Sequence, residues 1–108
     1  MAKKAQPKFY KELSKRHKEV FDAVEKLGKV TRAEGPIEGR TAHLIQLAAA
    51  AAIRSEGAVH SHARRALKAG ATPEEIYHTM ILLTSTIGFP HTSAALSWVY
   101  DILGEDEE

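Results

Sequence analysis

Apolar side chains recur at three- and four-residue steps along the first third of the chain, separated by lysine, arginine and glutamate. They are Phe9, Leu13, Val20, Phe21, Val24 and Leu27. This spacing predicts one amphipathic helix from Pro7 to Leu27. Gly28 is expected to end it, and the segment 31–39, which contains two glycines and a proline, is expected to form a loop.

The middle of the chain has no strand-like alternation of apolar and polar positions. Residues 40–53 are crowded with alanine, a strong helix former, so we expect a helix there that packs closely within the domain or across a subunit interface. Ser55 can cap a further helix that ends at Gly70.

The clearest local signal is the run Thr72-Pro73-Glu74-Glu75, with an N-cap threonine, proline at the first helical position and glutamate at the third. A helix is predicted from Pro73 to the Gly88-Phe89-Pro90 break, and a last one over residues 91–103. With no strand pattern, the sequence predicts an all-α fold of five to six helices.

A chain of 108 residues, 44% hydrophobic and 27% charged, is in the range of one globular domain. We therefore expect a single domain over residues 1–108, with 1–7 and 104–108 as flexible tails. The net charge of +1 gives no overall attraction to nucleic acid or to an anionic membrane, so neither is predicted as a partner. The polar first residues do not resemble a signal peptide, and the longest apolar stretch, Leu44 to Ile53, is too short to span a bilayer. These features favour a cytoplasmic protein.

The chain has no cysteine and six histidines. Thiol nucleophiles, disulfides and thiolate metal sites are therefore excluded from its chemistry. His60 and His62 are two residues apart, which places them on nearly opposite faces of a helix. His60 shares its face with Glu56 and Arg64, a pattern typical of a solvated, salt-bridged surface.

A histidine on a buried stripe can serve as a general acid or base, because its pKa lies near neutrality. His43 and His62 are the candidates for this role, and a hydrogen-bonded structural histidine is the alternative for each. A metal site built from both and a third residue is another alternative, although no His-Glu-x-x-His spacing is present.

Several segments, taken in order, resemble the carboxymuconolactone decarboxylase family, which includes the AhpD-like alkylhydroperoxidases. These are the run 40–45, Ser55 to His62, the run 66–76, and Gly88-Phe89-Pro90. The resemblance covers about residues 20–103 and implies an AhpD-like helical fold that assembles as a homotrimer or homohexamer.

One difference from the peroxidases of that family concerns their catalytic relay. Aligned on His62, the two relay cysteines fall at Ser55 and Ala58, and the relay glutamate falls at His43. Neither serine nor alanine can pass through sulfenate and disulfide states, so peroxidase activity by that mechanism is excluded. The chain is more similar to the decarboxylase branch, which also lacks the cysteines.

The resemblance implies a cofactor-independent lyase or isomerase that acts on a small carboxylated or lactone-type substrate. His62 and His43 would be the catalytic residues, with no cofactor and no metal. Substrate binding is assigned to Arg40, Ser55 and His91; Arg40 is the expected carboxylate clamp because a guanidinium pairs bidentately with a carboxylate. Arg64 and Arg65 are reserve cations. The alternative is a non-catalytic oligomeric binding or scaffold protein that kept the fold and lost the active site.

Overall fold

A computed structural model describes the backbone of residues 8–107 and the side chains of residues 8–104. These residues form seven helices and no strand, which confirms the predicted all-α class. The helices are α1 (Lys8–Arg16), α2 (Lys18–Ala33), α3 (Gly39–Ala52), α4 (Glu56–Lys68), α5 (Pro73–Ile81), α6 (Thr84–Ile87) and α7 (Phe89–Glu107). The predicted tail 1–7 lies outside the described residues. None of the described helices combines the length and apolarity needed to span a bilayer.

The described chain divides into two compact units, residues 8–38 and residues 39–107. In the first unit, the predicted single helix is two helices that meet at His17, whose φ of −128° and ψ of 52° are not helical. No glycine or proline marks this break, so apolar spacing could not locate it. An edge-to-face contact between the rings of Tyr10 and Phe21, with centroids 5.3 Å apart, joins α1 to α2.

The expected helix end at Gly28 is wrong, because α2 continues to Ala33. Gly28 is not among the glycines with positive φ, and the side chain of Arg32 lies 3.2 Å from where its Cβ would be. A glycine inside a helix is tolerated at a cost of about 1 kcal/mol relative to alanine. The predicted loop is consequently shorter and occupies residues 34–38.

The second unit contains the buried apolar core. Helices α3, α4, α5 and α7 contribute to it, and α3 packs against α4 along the alanine-rich segment. The fully buried larger apolar side chains are Leu47, Val59, Ile76, Met80, Val99, Ile102 and Leu103. Small residues such as Ala63 and Ala66, both with no exposed surface, let α4 approach its neighbours closely.

Both helix starts that the sequence predicted by capping are confirmed. The Ser55 hydroxyl accepts a hydrogen bond from the Ala58 N–H (3.3 Å) at the start of α4. Thr72 and Glu75 form a reciprocal capping box at the start of α5, with Pro73 as its first residue.

The predicted helix from Pro73 to residue 87 is interrupted after Ile81. Leu82 and Leu83 keep helical dihedrals, but the Leu83 N–H bonds to Met80 C=O, three residues back, so the chain tightens there before the short α6. The last helix is longer than predicted, since α7 begins at Phe89 and its backbone continues to Glu107.

Candidate functional site

Two histidines predicted to be catalytic lie on facing helices of the second unit. His43 is on α3 and His62 is on α4, and their ring centroids are 6.3 Å apart with planes tilted by 42°. Both residues are half-buried, and the Nδ1 atom of each is buried. Two imidazoles thus lie close enough to contact one small molecule.

The local sequence explains how the two rings meet. His43 lies four residues before Leu47, and His62 lies next to Ala63 and three residues after Val59. Leu47, Val59 and Ala63 are all fully buried, so they hold the facing surfaces of α3 and α4 in the core. Each histidine is therefore placed by a rigid helix rather than by a loop, which favours a fixed geometry.

Two further buried polar atoms belong to helices that pack against α4. Among the described residues, neither Gln46 Oε1 on α3 nor Thr92 Oγ1 on α7 has a hydrogen-bond partner. Gln46 follows His43 by three residues and shares its side of α3, and Thr92 has no exposed surface. Buried polar groups are nearly always hydrogen-bonded, so these two atoms are candidates for contact with a ligand.

Sequence reasoning missed both residues as functional groups. Gln46 lies in a stretch of alanine and leucine, where a single polar residue is a usable signal, since it interrupts an otherwise apolar helix. Thr92 carries no comparable signal, because a threonine near a helix start is common at exposed positions.

The predicted carboxylate clamp, Arg40, lies in the first turn of α3. Its Nη1 atom is 3.7 Å from Glu75 Oε2, and the two side chains are 54% and 40% exposed. An ion pair this exposed contributes little to stability, so a carboxylate ligand could replace Glu75 at small cost.

The other predicted binding residues have structural contacts of their own. Ser55 caps α4, as described above. His91, in the first turn of α7, has its Nδ1 atom 3.4 Å from Arg54 Nη1. A guanidinium only donates, so in this contact Nδ1 is the acceptor. The reserve cations Arg64 and Arg65 are half-buried on α4.

Arg54 was not among the predicted site residues, because its backbone has a conformation that its residue type does not predict. Arg54 has a φ of 60°, the left-handed region, and it ends α3 with two bonds, from Arg54 N–H to Ala51 C=O and from Ser55 N–H to Ala50 C=O. Glycine is the usual residue at this position of a helix end, so the sequence gives no warning that arginine occupies it. The conformation costs about 1 kcal/mol and directs a cation towards His91.

His60 lies on the opposite side of α4 from His62. The prediction of a salt-bridged face is confirmed in part: His60 Nε2 is 3.9 Å from Glu56 Oε2 and 2.9 Å from Asp101 Oδ2. The prediction that this face is solvated does not hold for His60, whose side chain is only 16% exposed because α7 packs over it.

Comparison with known proteins gives a family and no individual relative. No curated protein and no solved structure matches the chain. The model of the carboxymuconolactone decarboxylase family matches residues 18–101, a range that begins with α2 and ends within α7. The match includes His43, His62 and every predicted binding residue, and it agrees with the resemblance seen in the sequence. On this evidence the chain belongs to the carboxymuconolactone decarboxylase family.

Proposed function

We propose that this protein is a cofactor-independent lyase or isomerase of the decarboxylase branch of its family, acting on a small carboxylated or lactone-type substrate. The observation that carries the proposal is the half-buried pair of imidazoles on α3 and α4, with ring centroids 6.3 Å apart. The absence of cysteine supports the choice of branch, because the peroxidase relay needs two thiols.

His62 is the proposed general acid and base. When the bond between the substrate carbon and its carboxylate breaks, carbon dioxide leaves and the electron pair is delocalised into an adjacent unsaturated carbonyl group. The protonated imidazole of His62 then delivers its proton to the carbon, and His43 orients the substrate or returns a proton to His62. A positioned acid or base of this kind contributes about 10²- to 10⁴-fold to the rate.

Binding of the substrate is assigned to cations and to buried polar groups. Arg40 is the proposed carboxylate clamp, and its weak, half-exposed pair with Glu75 supports this role. His91, with Arg54 beside it, is the proposed contact for a second anionic group. Gln46, three residues after His43, is proposed to form a hydrogen bond with the substrate. Its buried side-chain oxygen lacks a partner among the described residues.

A non-catalytic binding protein is the second candidate. Its specific support is that Ser55 caps α4, so that one of the predicted substrate contacts already has a structural role. Under this alternative, His43 and His62 bind a small acid without turnover.

Assembly and location are further parts of the proposal. We propose a homotrimer or homohexamer in the cytoplasm. Self-association is supported by large apolar side chains that the single chain leaves more than half exposed, among them Val20, Val24 and Leu27 on α2.

The proposal is tested by assaying γ-lactone carboxylates for release of carbon dioxide with the wild-type protein, His62→Gln and His78→Gln. His78 is an exposed histidine on α5 and serves as the control. We expect kcat/KM to fall by about 10²-fold or more in His62→Gln and to stay unchanged in His78→Gln. Saturable binding without turnover would establish the binding protein instead. If the wild type neither turns over nor binds any of these compounds, both candidate functions are refuted.

A further inference from the structure

Three side chains of metal-ligating type meet on the side of α4 away from His62. Glu56 Oε2, His60 Nε2 and Asp101 Oδ2 all lie within 4.8 Å of one another. Among the residues whose side chains are described, no other group of three histidines or carboxylates is this close. The family resemblance gives these residues no role, and neither does the proposed decarboxylation.

The helices place the three groups without help from a loop. Glu56 and His60 are one turn apart on α4, so their side chains lie one above the other, and Asp101 reaches them from α7, which packs against α4. A group bound to all three residues would therefore connect two core helices.

The distances are close to those of a metal site. The 2.9 Å contact between His60 Nε2 and Asp101 Oδ2 is a hydrogen bond in the metal-free protein, and Glu56 Oε2 is 3.9 Å from the same nitrogen. In a tetrahedral zinc site with bonds of about 2.1 Å, ligand atoms are about 3.4 Å apart, and the three candidate ligand atoms here all lie within 4.8 Å of one another. Rotation of the two half-exposed carboxylates can bring the three atoms to this spacing, with the zinc ion replacing the hydrogen bond.

The charges of the three residues also suit a divalent cation. Two carboxylates lie beside one imidazole whose side chain is 16% exposed, and both carboxylates attract a cation. Arg64, four residues after His60 on the same face of α4, is a further positive charge on that face. A zinc ion would bind the imidazole in its neutral form, as a ligand.

We propose that Glu56, His60 and Asp101 bind one Zn²⁺ ion. Imidazole nitrogen and carboxylate oxygen are both zinc ligands in proteins, and three protein ligands leave the fourth position to water or an external ligand. An imidazole ligand disfavours Mg²⁺ and Ca²⁺, which prefer oxygen ligands only. The ion joins α4 to α7 and stabilises their packing.

The test uses the full chain, purified without a histidine tag and treated with chelator before Zn²⁺ is added. Calorimetry should show one Zn²⁺ bound per chain, and zinc in excess should raise the Tm by about 5 °C or more. Co²⁺ should give the visible absorption of a four-coordinate site. His60→Gln and Asp101→Asn should each weaken zinc binding at least about tenfold.

His78→Gln and Glu74→Gln are the matched controls, because they alter the same residue types at exposed positions of α5. Both should bind zinc like the wild type. Far-UV circular dichroism of each variant without metal separates loss of the site from loss of the fold. The proposal is overturned if the wild type binds no zinc at micromolar concentrations, or if folded His60→Gln and Asp101→Asn bind it as tightly as the wild type.

Because Glu56, His60 and Asp101 have no part in the proposed decarboxylation, the two proposals can fail separately. Loss of zinc binding with full turnover, or loss of turnover with full zinc binding, identifies which of them is affected.

Discussion

His60 and His62 are two residues apart on α4 and have different surroundings. His62 lies on the side that faces α3, where the centroid of the His43 ring is 6.3 Å from its own. His60 lies on the other side, where Asp101 is 2.9 Å and Glu56 is 3.9 Å from its Nε2 atom. The same side chain is thus placed beside another imidazole on one side of the helix and beside two carboxylates on the other.

The difference teaches that helical position alone gives two histidines different possible chemistry. A ring close to two carboxylates is suited to an ion pair or to a metal, because both arrangements neutralise negative charge. A ring on a half-buried helix face, with a second imidazole opposite, is suited to proton exchange with a substrate. Under the two proposals, the two sides of α4 work independently on one shared core.

The largest expected effect comes from weakening that shared core. Leu47 is fully buried on α3, four residues after His43, so Leu47→Ala should lower the free energy of unfolding by about 2–5 kcal/mol. Ile45→Ala, at a 52% exposed position of the same helix, is the control and should change it by less than about 0.5 kcal/mol. Urea denaturation measures both. A similar small change in the two variants would mean that α3 does not pack as described.

A smaller effect, on substrate binding alone, is expected from replacing Gln46, which lies on the His62 side of the core. Gln46→Leu removes a buried oxygen that has no partner among the described residues, so the free energy of unfolding should stay the same or rise. If this oxygen contacts the substrate, KM should rise by about tenfold, which corresponds to 1.4 kcal/mol, while zinc binding is unchanged. Unchanged kinetics would show that Gln46 does not contact the substrate, and would not contradict the proposed roles of His43 and His62.

The smallest effect, on the free energy of unfolding, is expected from replacing Asp101, which lies on the His60 side of α4. In metal-free protein, Asp101→Asn should change the free energy of unfolding by less than about 1 kcal/mol, because the Asp101 side chain is 38% exposed and its pair with His60 is screened by water. Turnover should be unaffected. A loss of several kcal/mol in urea denaturation would show that this ion pair supports the core, and would contradict the independence of the two sides.

Much of this arrangement could be predicted from the sequence, where local signals are strong. Thr72, Pro73 and Glu75 form the capping box that their types and spacing predict. The opposite placement of His60 and His62 follows from helical periodicity alone. The alanine-rich helix packs tightly against α4, as its small side chains indicate.

The remaining features depend on tertiary contacts or on backbone conformations that residue types do not specify. Asp101 is 41 residues from His60, and nothing in either local sequence indicates that they meet. Arg54 adopts a conformation usual for glycine, and Gly28 continues a helix that it was expected to end. The break at His17 likewise has no turn-forming residue. In each case the local propensity is weak, and tertiary contacts determine the conformation.

The independence of the two sides of α4 is tested by measuring turnover and zinc binding in both His60→Gln and His62→Gln. Glutamine keeps hydrogen-bonding capacity and similar volume, and it cannot transfer a proton at neutral pH. We expect His62→Gln to lose about 10²-fold or more in kcat/KM and to bind zinc normally, whereas His60→Gln should keep its turnover and lose zinc. If the folded variants lose the same function, the two sides of α4 form one site and the proposal of two independent sites is wrong.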